Sequence, residues 1–108
     1  MKLQIAQQVF EMIAASQVTE LKLDLYRAAE KYTSYRTAWR QVTPEQRRLI
    51  DPPRTRSHNA LIDSFNILSR EQAKRGEDNH WRGMLGEDRK ELGDMAAYIV
   101  LFLALSAR

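Results

Sequence analysis

The sequence ELGDMAAYIVLFLALSA occupies residues 91–107 and decides the fold class. Glu91 and Asp94 stand three positions apart, so on a helix their carboxylates share one face, with Cβ atoms about 5–6 Å apart. Residues 95–107 follow without a charge. A helix that is apolar nearly all round must be buried on every side. The segment therefore predicts a packed final helix over residues 87–107, whose carboxylate pair needs a cation or donors as partners.

Apolar spacing predicts two further helices, and no useful run of alternating residues indicates a strand. The first helix is expected over residues 3–15. The second begins near Thr19 and carries a stripe of leucine, alanine and aromatic side chains as far as Trp39. We interpret these aromatic side chains as core. The alternative is a platform on which nucleic-acid bases stack.

Two signals divide the middle of the chain. TPEQ at residues 43–46 has the pattern of a capping box with proline at the first helical position, and it opens a short helix. DPP at residues 51–53 predicts a break, because each proline removes a donor and restricts the residue before it. A long helix is then expected over residues 54–75, ending at Gly76. The predicted fold is one all-α domain, residues 1–108, with a bundle of four main helices and a short extra one.

The composition excludes several classes of protein. A chain of 108 residues, 44% hydrophobic and 29% charged, is typical of one globular domain. Without cysteine it has no disulfide and no thiolate zinc site, which fits a reducing cytoplasm. The uncharged run is shorter than the roughly 20 residues that span a bilayer, so we expect a soluble, cytoplasmic protein without membrane contact. With a net charge of only +3, the arginines near residues 47–56 indicate a solvated surface more than a nucleic-acid site.

A polar stripe follows the long helix at Asn59, Asp63, Asn66 and Arg70, with His58 beside it. Asn and Asp compete with the helix backbone for hydrogen bonds, so such residues should have partners. Three interpretations stay open: a hydrogen-bond network between helices, a polar pocket for a ligand or metal, and an exposed face. For His58 alone, a packed core histidine is commoner than a ligand-binding one.

The carboxylate and amide side chains form two pairs. Asp63 and Asn66 lie three positions apart on one predicted helix, as Glu91 and Asp94 do on another. If the two helices are antiparallel neighbours, four oxygen-bearing side chains converge. Completed by water, this set suits Mg²⁺, which prefers octahedral oxygen ligands and commonly also holds a substrate's phosphates.

RKELGDMAAYI at residues 89–99 resembles the second metal-binding helix of the MazG-like all-α nucleoside triphosphate pyrophosphohydrolases. In that family Glu is followed three residues later by Asp and then by an apolar helix. The family's first helix carries Glu-x-x-Glu, where this chain has DSFN at residues 63–66. The resemblance covers at most residues 57–105. It implies the same fold, assembly as dimers or tetramers, and Mg²⁺-dependent hydrolysis of a nucleoside triphosphate to a monophosphate and pyrophosphate, with the metal held by Asp63, Asn66, Glu91 and Asp94.

The chain departs from the family at the first pair. Asp63 and Asn66 carry one negative charge fewer than two glutamates and have shorter side chains, so we expect weaker metal binding and weaker activation of water. Side-chain chemistry adds expectations for a nucleotide substrate. Positive groups would neutralise phosphate charge, and Trp81 would stack on a base. The candidate substrate-binding residues are His58, Asn59, Arg70, Trp81, Arg89 and Lys90.

The alternative is a non-catalytic helical protein that acts through protein partners. In it Asp63 pairs with Arg70 or Arg89, Asp94 caps its helix or bridges to the preceding long helix, and the polar stripe fixes the packing register. Catalysis requires the four oxygen-bearing side chains to converge in an open pocket without saturating arginines. The non-catalytic alternative requires them to be satisfied already. The apolar final helix predicts a homodimer.

Overall fold

The computed structural model describes residues 1–107, and within them it contains five helices and no strand. In chain order these are α1 (Leu3–Ala14), α2 (Thr19–Gln41), α3 (Pro44–Lys74), α4 (Trp81–Leu85) and α5 (Arg89–Ser106). The all-α prediction is confirmed for this part of the chain. None of the described helices is long and apolar enough to cross a membrane.

Side-chain and glycine caps set several helix boundaries. The Thr43 hydroxyl accepts from the Gln46 N–H, and the Gln46 side chain accepts from the Thr43 N–H, so the predicted capping box is present. Asp88 accepts from two backbone N–H groups in the first turn of α5. Gly76 follows α3 with φ of 74°, which favours glycine, as predicted.

The predicted break at residues 51–53 is wrong, because α3 continues through Pro52 and Pro53. Each proline lacks an N–H, so the carbonyls of Arg48 and Leu49 lose their usual helical donors. Both of these residues are exposed, and water can bind their carbonyls. The local preference for a break is therefore weaker than it would be in a buried helix.

Trp39 on α2 contacts α3 on both sides of the proline pair. Its carbonyl accepts from Nε of Arg47 at 3.1 Å. The guanidinium carbons of Arg47 and Arg54 lie 4.0 and 4.8 Å from the ring centroid, within cation–π range. Arg47 precedes the prolines and Arg54 follows them, so one aromatic ring links the two halves of the helix.

The core lies where α2 packs against α3 and α5, and α1 against α5 and α4. Every helix contributes to it, including the short α4. The largest side chains with less than 2% exposure are Trp81, Phe65, Ile13, Leu25, Leu61, Leu68, Leu85, Leu92, Met95, Ile99, Gln72 and Val9.

A hydrogen-bond network holds α4 against this core. The Trp81 indole N–H donates to Gln72 Oε1 at 2.7 Å, and Gln72 Nε2 donates to Glu77 at 3.3 Å. The hydroxyl of Ser16 donates to the same carboxylate at 2.7 Å, and this hydrogen bond is the main cause of the lowered pKa of Glu77. The network joins the loop after α3 to the turn between α1 and α2.

Candidate functional site

A cationic cavity lies where the first turn of α5 meets α2 and α3, and its volume is about 520 Å³. A concave surface of one charge sign concentrates ligands of the opposite sign. Five cationic side chains line the cavity and none of its lining residues is acidic. The lining residues are Tyr32, Arg36, Trp39, Arg40, Arg54, Thr55, His58, Arg89 and Lys90.

Helical spacing places these side chains on the helix faces that line the cavity. On α2, positions 36 and 40 follow position 32 at four-residue spacing, and position 39 lies three residues after 36, so the four share a face. On α3, positions 54 and 58 repeat the four-residue spacing. Arg89 and Lys90 are the first two residues of α5. Three helices must therefore meet before the cavity exists.

Arg89 and His58 contact each other twice across the wall of the cavity. Nη2 of Arg89 lies 2.7 Å from Nδ1 of His58, and the Arg89 carbonyl oxygen lies 3.0 Å from Nε2. The imidazole is buried, with 7% exposure. Burial lowers the pKa of His58 below 6.5, and the charges of Arg89, Arg54 and Arg36 lower it further.

Tyr32 fills the space between His58 and α5. Its ring is tilted against the imidazole with centroids 4.7 Å apart. On Gly93, a Cβ would stand 3.0 Å from both Cε2 and the hydroxyl oxygen of Tyr32. Glycine at position 93 therefore lets α2 and α5 approach closely enough to form the cavity wall.

Of the five lining cations, Arg36 has the closest carboxylate partner among the described residues. Its Nη2 lies 2.5 Å from Oδ1 of Asp94, and the two side chains are only 13% and 24% exposed. Asp94 thus joins α5 to α2, whereas the non-catalytic alternative had it capping its helix, a role that Asp88 has, or bridging to the preceding long helix. Because both groups are partly buried, removing either one would leave a poorly solvated charge, which costs more than it does in a surface pair.

The positive charges of the other four cations are largely uncompensated by carboxylates among residues 1–107. Within residues 1–107, Arg40, Arg89 and Lys90 form no salt bridge. The side-chain partners of Arg89 are neutral, His58 and the Asn59 amide oxygen at 2.9 Å. Arg54 lies 3.8 Å from Asp51, whose side chain is 52% exposed.

Two buried donors on lining residues lack an acceptor. Neither Nε1 of Trp39 nor Nε of Arg54 has a hydrogen-bond partner among the described residues. A buried donor without an acceptor costs about 1–3 kcal/mol. Both atoms are inaccessible to solvent, so an acceptor reaches them only if neighbouring side chains move.

The four predicted metal ligands have different surroundings. Asp63 is exposed on α3, and Asn66 accepts from Nε of Arg82 at 2.7 Å. Glu91 lies 3.8 Å from the Met1 amino group, and Asp94 pairs with Arg36. In the described part of the chain, no three His, Cys, Asp or Glu side chains are grouped so that they could hold a metal ion. At Asp94 the positive charge of Arg36 lies beside the carboxylate and opposes the binding of a cation there.

The predicted substrate-binding residues divide into three groups. His58, Arg89 and Lys90 line the cavity, and Asn59 supports it through Arg89. Arg70 is exposed and lies outside the lining. Trp81 does not suit base stacking, because its ring is fully buried and its N–H donates to Gln72.

Sequence reasoning missed the contribution of α2 and of Arg54. Arg36 and Arg40 lie one turn apart beside the aromatic stripe that ends at Trp39, and this pattern was the available signal. The aromatic stripe was interpreted as core, and nothing in the pattern linked the two arginines to Arg89. The polar stripe on α3 has two environments, since Asn59 and Asn66 make inter-element hydrogen bonds while Asp63 and Arg70 are exposed.

Comparisons of this chain with protein-family models, with curated proteins and with solved structures found no match. The MazG-like resemblance of residues 89–99 therefore stays a prediction. Function has to be inferred from the chemistry of the cavity.

Proposed function

We propose that this protein binds a phosphorylated ligand in the cationic cavity. The observation that supports the proposal is the lining itself, which has five cationic side chains and no acidic one. Guanidinium groups suit phosphate because their planar array of donors matches its oxygen atoms.

The size of the cavity favours a small molecule. Its volume of about 520 Å³ falls in the range of small-ligand sites, roughly 300–1,000 Å³. The charges are concentrated in a concavity formed by three helices, and the whole chain has a net charge of only +3. A phosphate group that enters the cavity can reach cations on several sides, which a duplex backbone passing over the surface could not do equally well.

Ligand binding should also increase the stability of the folded protein. The uncompensated cations repel one another in the folded protein, and a bound anion offsets that repulsion. A ligand that binds only the folded state also raises the free energy of unfolding by mass action. Binding should therefore raise the melting temperature.

Calorimetry with pyrophosphate as the probe, in buffer with a chelator, tests the proposal. Arg40→Gln and Lys90→Gln should each weaken binding about tenfold or more, because loss of one charge-assisted hydrogen bond costs about 1.5–3 kcal/mol. Arg56→Gln and Lys74→Gln are matched controls, since both residues are exposed and lie outside the lining. Absence of binding, or equal weakening by the controls, would contradict the proposal.

A MazG-like pyrophosphohydrolase is the second candidate function. The pattern of residues 89–99 supports it, as does the position of Arg89 and Lys90 beside a cavity suited to phosphate. In this proposal Asp63, Asn66, Glu91 and Asp94 hold Mg²⁺, which requires them to come together from separate surroundings and the metal to outweigh the charge of Arg36. Titration with Mg²⁺ or Mn²⁺ tests it, with and without a non-hydrolysable nucleoside triphosphate. Binding that needs Asp94, judged by Asp94→Ala, and tightens with nucleotide would support it. No metal binding to the wild type would contradict it.

We also infer that two copies of the chain associate through the second half of α5. This association does not depend on catalytic activity. Residues 95–107 carry no charge, and Leu101 and Leu105 are 44% and 50% exposed one turn apart. Leu101→Lys should shift the protein towards monomer in sedimentation experiments. Leu49→Lys is the control, because Leu49 is 80% exposed on α3. An identical mass for wild type and Leu101→Lys would argue against this interface.

A further inference from the structure

The charge in the cavity exceeds what one phosphate group can neutralise. Among residues 1–107, Arg36 has the closest carboxylate partner of the five cations, which leaves Arg40, Arg54, Arg89 and Lys90. In the same part of the chain, the only carboxylate that forms a salt bridge with any of these four is Asp51, which is half exposed and 3.8 Å from Arg54. A phosphate monoester carries about −1.5 to −2 charges at pH 7. Neutralising four positive charges therefore takes at least two phosphate groups.

The four cations also lie on three different helices. Arg40 belongs to α2, Arg54 to α3, and Arg89 and Lys90 to α5. A ligand that reaches all of them has to extend across the cavity. A linear chain of phosphates, with acceptor oxygen atoms at every unit, has the required shape and chemistry.

The aromatic rings in the lining are already occupied. The ring of Trp39 carries the guanidinium groups of Arg47 and Arg54 at 4.0 and 4.8 Å. Tyr32 is 5% exposed and packs against His58 on α3 and Gly93 on α5. Base recognition in proteins commonly uses stacking on an accessible aromatic face. Tyr32 is too buried to offer one, and a base on Trp39 would compete with two guanidinium groups.

We propose that the ligand is recognised through a chain of two or more linked phosphates, with no requirement for a base. This inference rests on the proposed function and names its ligand class. The chemistry is shared by inorganic polyphosphate and by the phosphate chain of a nucleotide. The aromatic packing predicts that the two sources bind alike when the number of phosphates is equal.

Calorimetry on the full chain distinguishes these ligands. Orthophosphate, pyrophosphate, tripolyphosphate, AMP, ADP and ATP are titrated at constant ionic strength in a chelator, so that no metal bridges ligand and protein. Pyrophosphate should bind at least about tenfold more tightly than orthophosphate, which corresponds to 1.4 kcal/mol, and tripolyphosphate more tightly still. ADP should match pyrophosphate to within about threefold. Arg40→Gln should weaken tripolyphosphate more than orthophosphate.

Each other outcome overturns a distinct statement. Equal affinity for orthophosphate and tripolyphosphate would overturn recognition of a phosphate chain and leave the proposed anion site intact. Binding of ADP more than about tenfold tighter than pyrophosphate would overturn independence from the base. Failure of every anion to bind would overturn the proposed function, and this inference with it.

Discussion

Arg89 engages both ring nitrogens of His58, and the two contacts define the state of the imidazole. Arginine can only donate, so Nδ1, which lies 2.7 Å from Nη2 of Arg89, must accept. Nε2 then carries the proton and donates to the Arg89 carbonyl at 3.0 Å. The geometry thus selects the neutral tautomer with hydrogen on Nε2. Protonation of Nδ1 would set two donors against each other in a cavity that already holds several positive charges.

We predict that stability falls as the pH drops below about 6.5, the ordinary pKa of histidine. In the folded protein, burial and the charges of Arg89, Arg54 and Arg36 lower the pKa of His58, while Tyr32 covers its ring. The unfolded chain therefore binds a proton at a higher pH than the folded chain does. Between the two pKa values, each step to lower pH favours unfolding.

Urea unfolding across pH 5–8 measures this dependence. His58→Gln should reduce the slope of the unfolding free energy in that window, because the titrating group is gone. Asn59→Ala is the control. It removes another partner of Arg89 without removing a titrating group, so it should lower stability by a similar amount at every pH. An unchanged slope in His58→Gln would assign the pH dependence elsewhere.

Two glycine-to-alanine substitutions should have opposite effects. In a helix interior this change normally stabilises by about 0.5–1 kcal/mol. At Gly93 the new Cβ would stand 3.0 Å from Tyr32, so we expect a net loss of about 1 kcal/mol and weaker pyrophosphate binding. At Gly83 in α4 the Cβ meets nothing within 4 Å, so Gly83→Ala should gain stability. Thermal unfolding and calorimetry test both variants, and a gain in Gly93→Ala would contradict the close approach.

The parts of the fold that depend on local chemistry could be predicted from the sequence. Thr19 begins α2 as expected, TPEQ at residues 43–46 forms its capping box, and Gly76 ends α3. The error at residues 51–53 has a tertiary cause. Whether exposed carbonyls and a tryptophan on another helix compensate for two prolines cannot be read from proline's own preference.

The cavity shows a different limit. Spacing along one helix places Arg36 and Arg40 on a shared face, and the sequence contains that information. It does not reveal that α2 and α5 approach closely at Gly93, nor that Asp94 pairs with Arg36. The sequence did point to His58, Arg89 and Lys90 as binding residues, and all three line the cavity. Their common site depends on which helices are neighbours.

Asp94→Asn should lower stability and strengthen anion binding. It leaves the Arg36 side chain, which is 13% exposed, without its carboxylate, and we expect a loss of about 1–3 kcal/mol. The released positive charge should also tighten pyrophosphate binding. Asp24→Asn is the matched control, because the Asp24–Arg27 pair is 59% and 72% exposed and should change stability by less than about 1 kcal/mol.

A double-mutant cycle with Arg36→Met separates the ion pair from other contacts of Asp94. If the pair is the main partner of each residue, Asp94→Asn should cost little in the Arg36→Met background. Equal losses in both backgrounds would mean that Asp94 stabilises the fold without Arg36. Weaker anion binding in Asp94→Asn would contradict the release of positive charge into the cavity.

Pro52→Ala should stabilise the protein if α3 is continuous through residues 51–53. Proline in a helix interior is about 3 kcal/mol less favourable than alanine. Replacing it also gives the unfolded chain more conformational freedom, which lowers stability by about 0.4–1 kcal/mol. We therefore expect a net gain of about 1–3 kcal/mol in urea unfolding, with unchanged helical circular dichroism. Pro44→Ala is the control. At the first position of a helix the backbone N–H has no helical acceptor, so proline there removes no hydrogen bond. Replacing Pro44 should therefore give no gain. A loss of stability in Pro52→Ala would show that proline's restricted backbone is needed there, as a helix break requires.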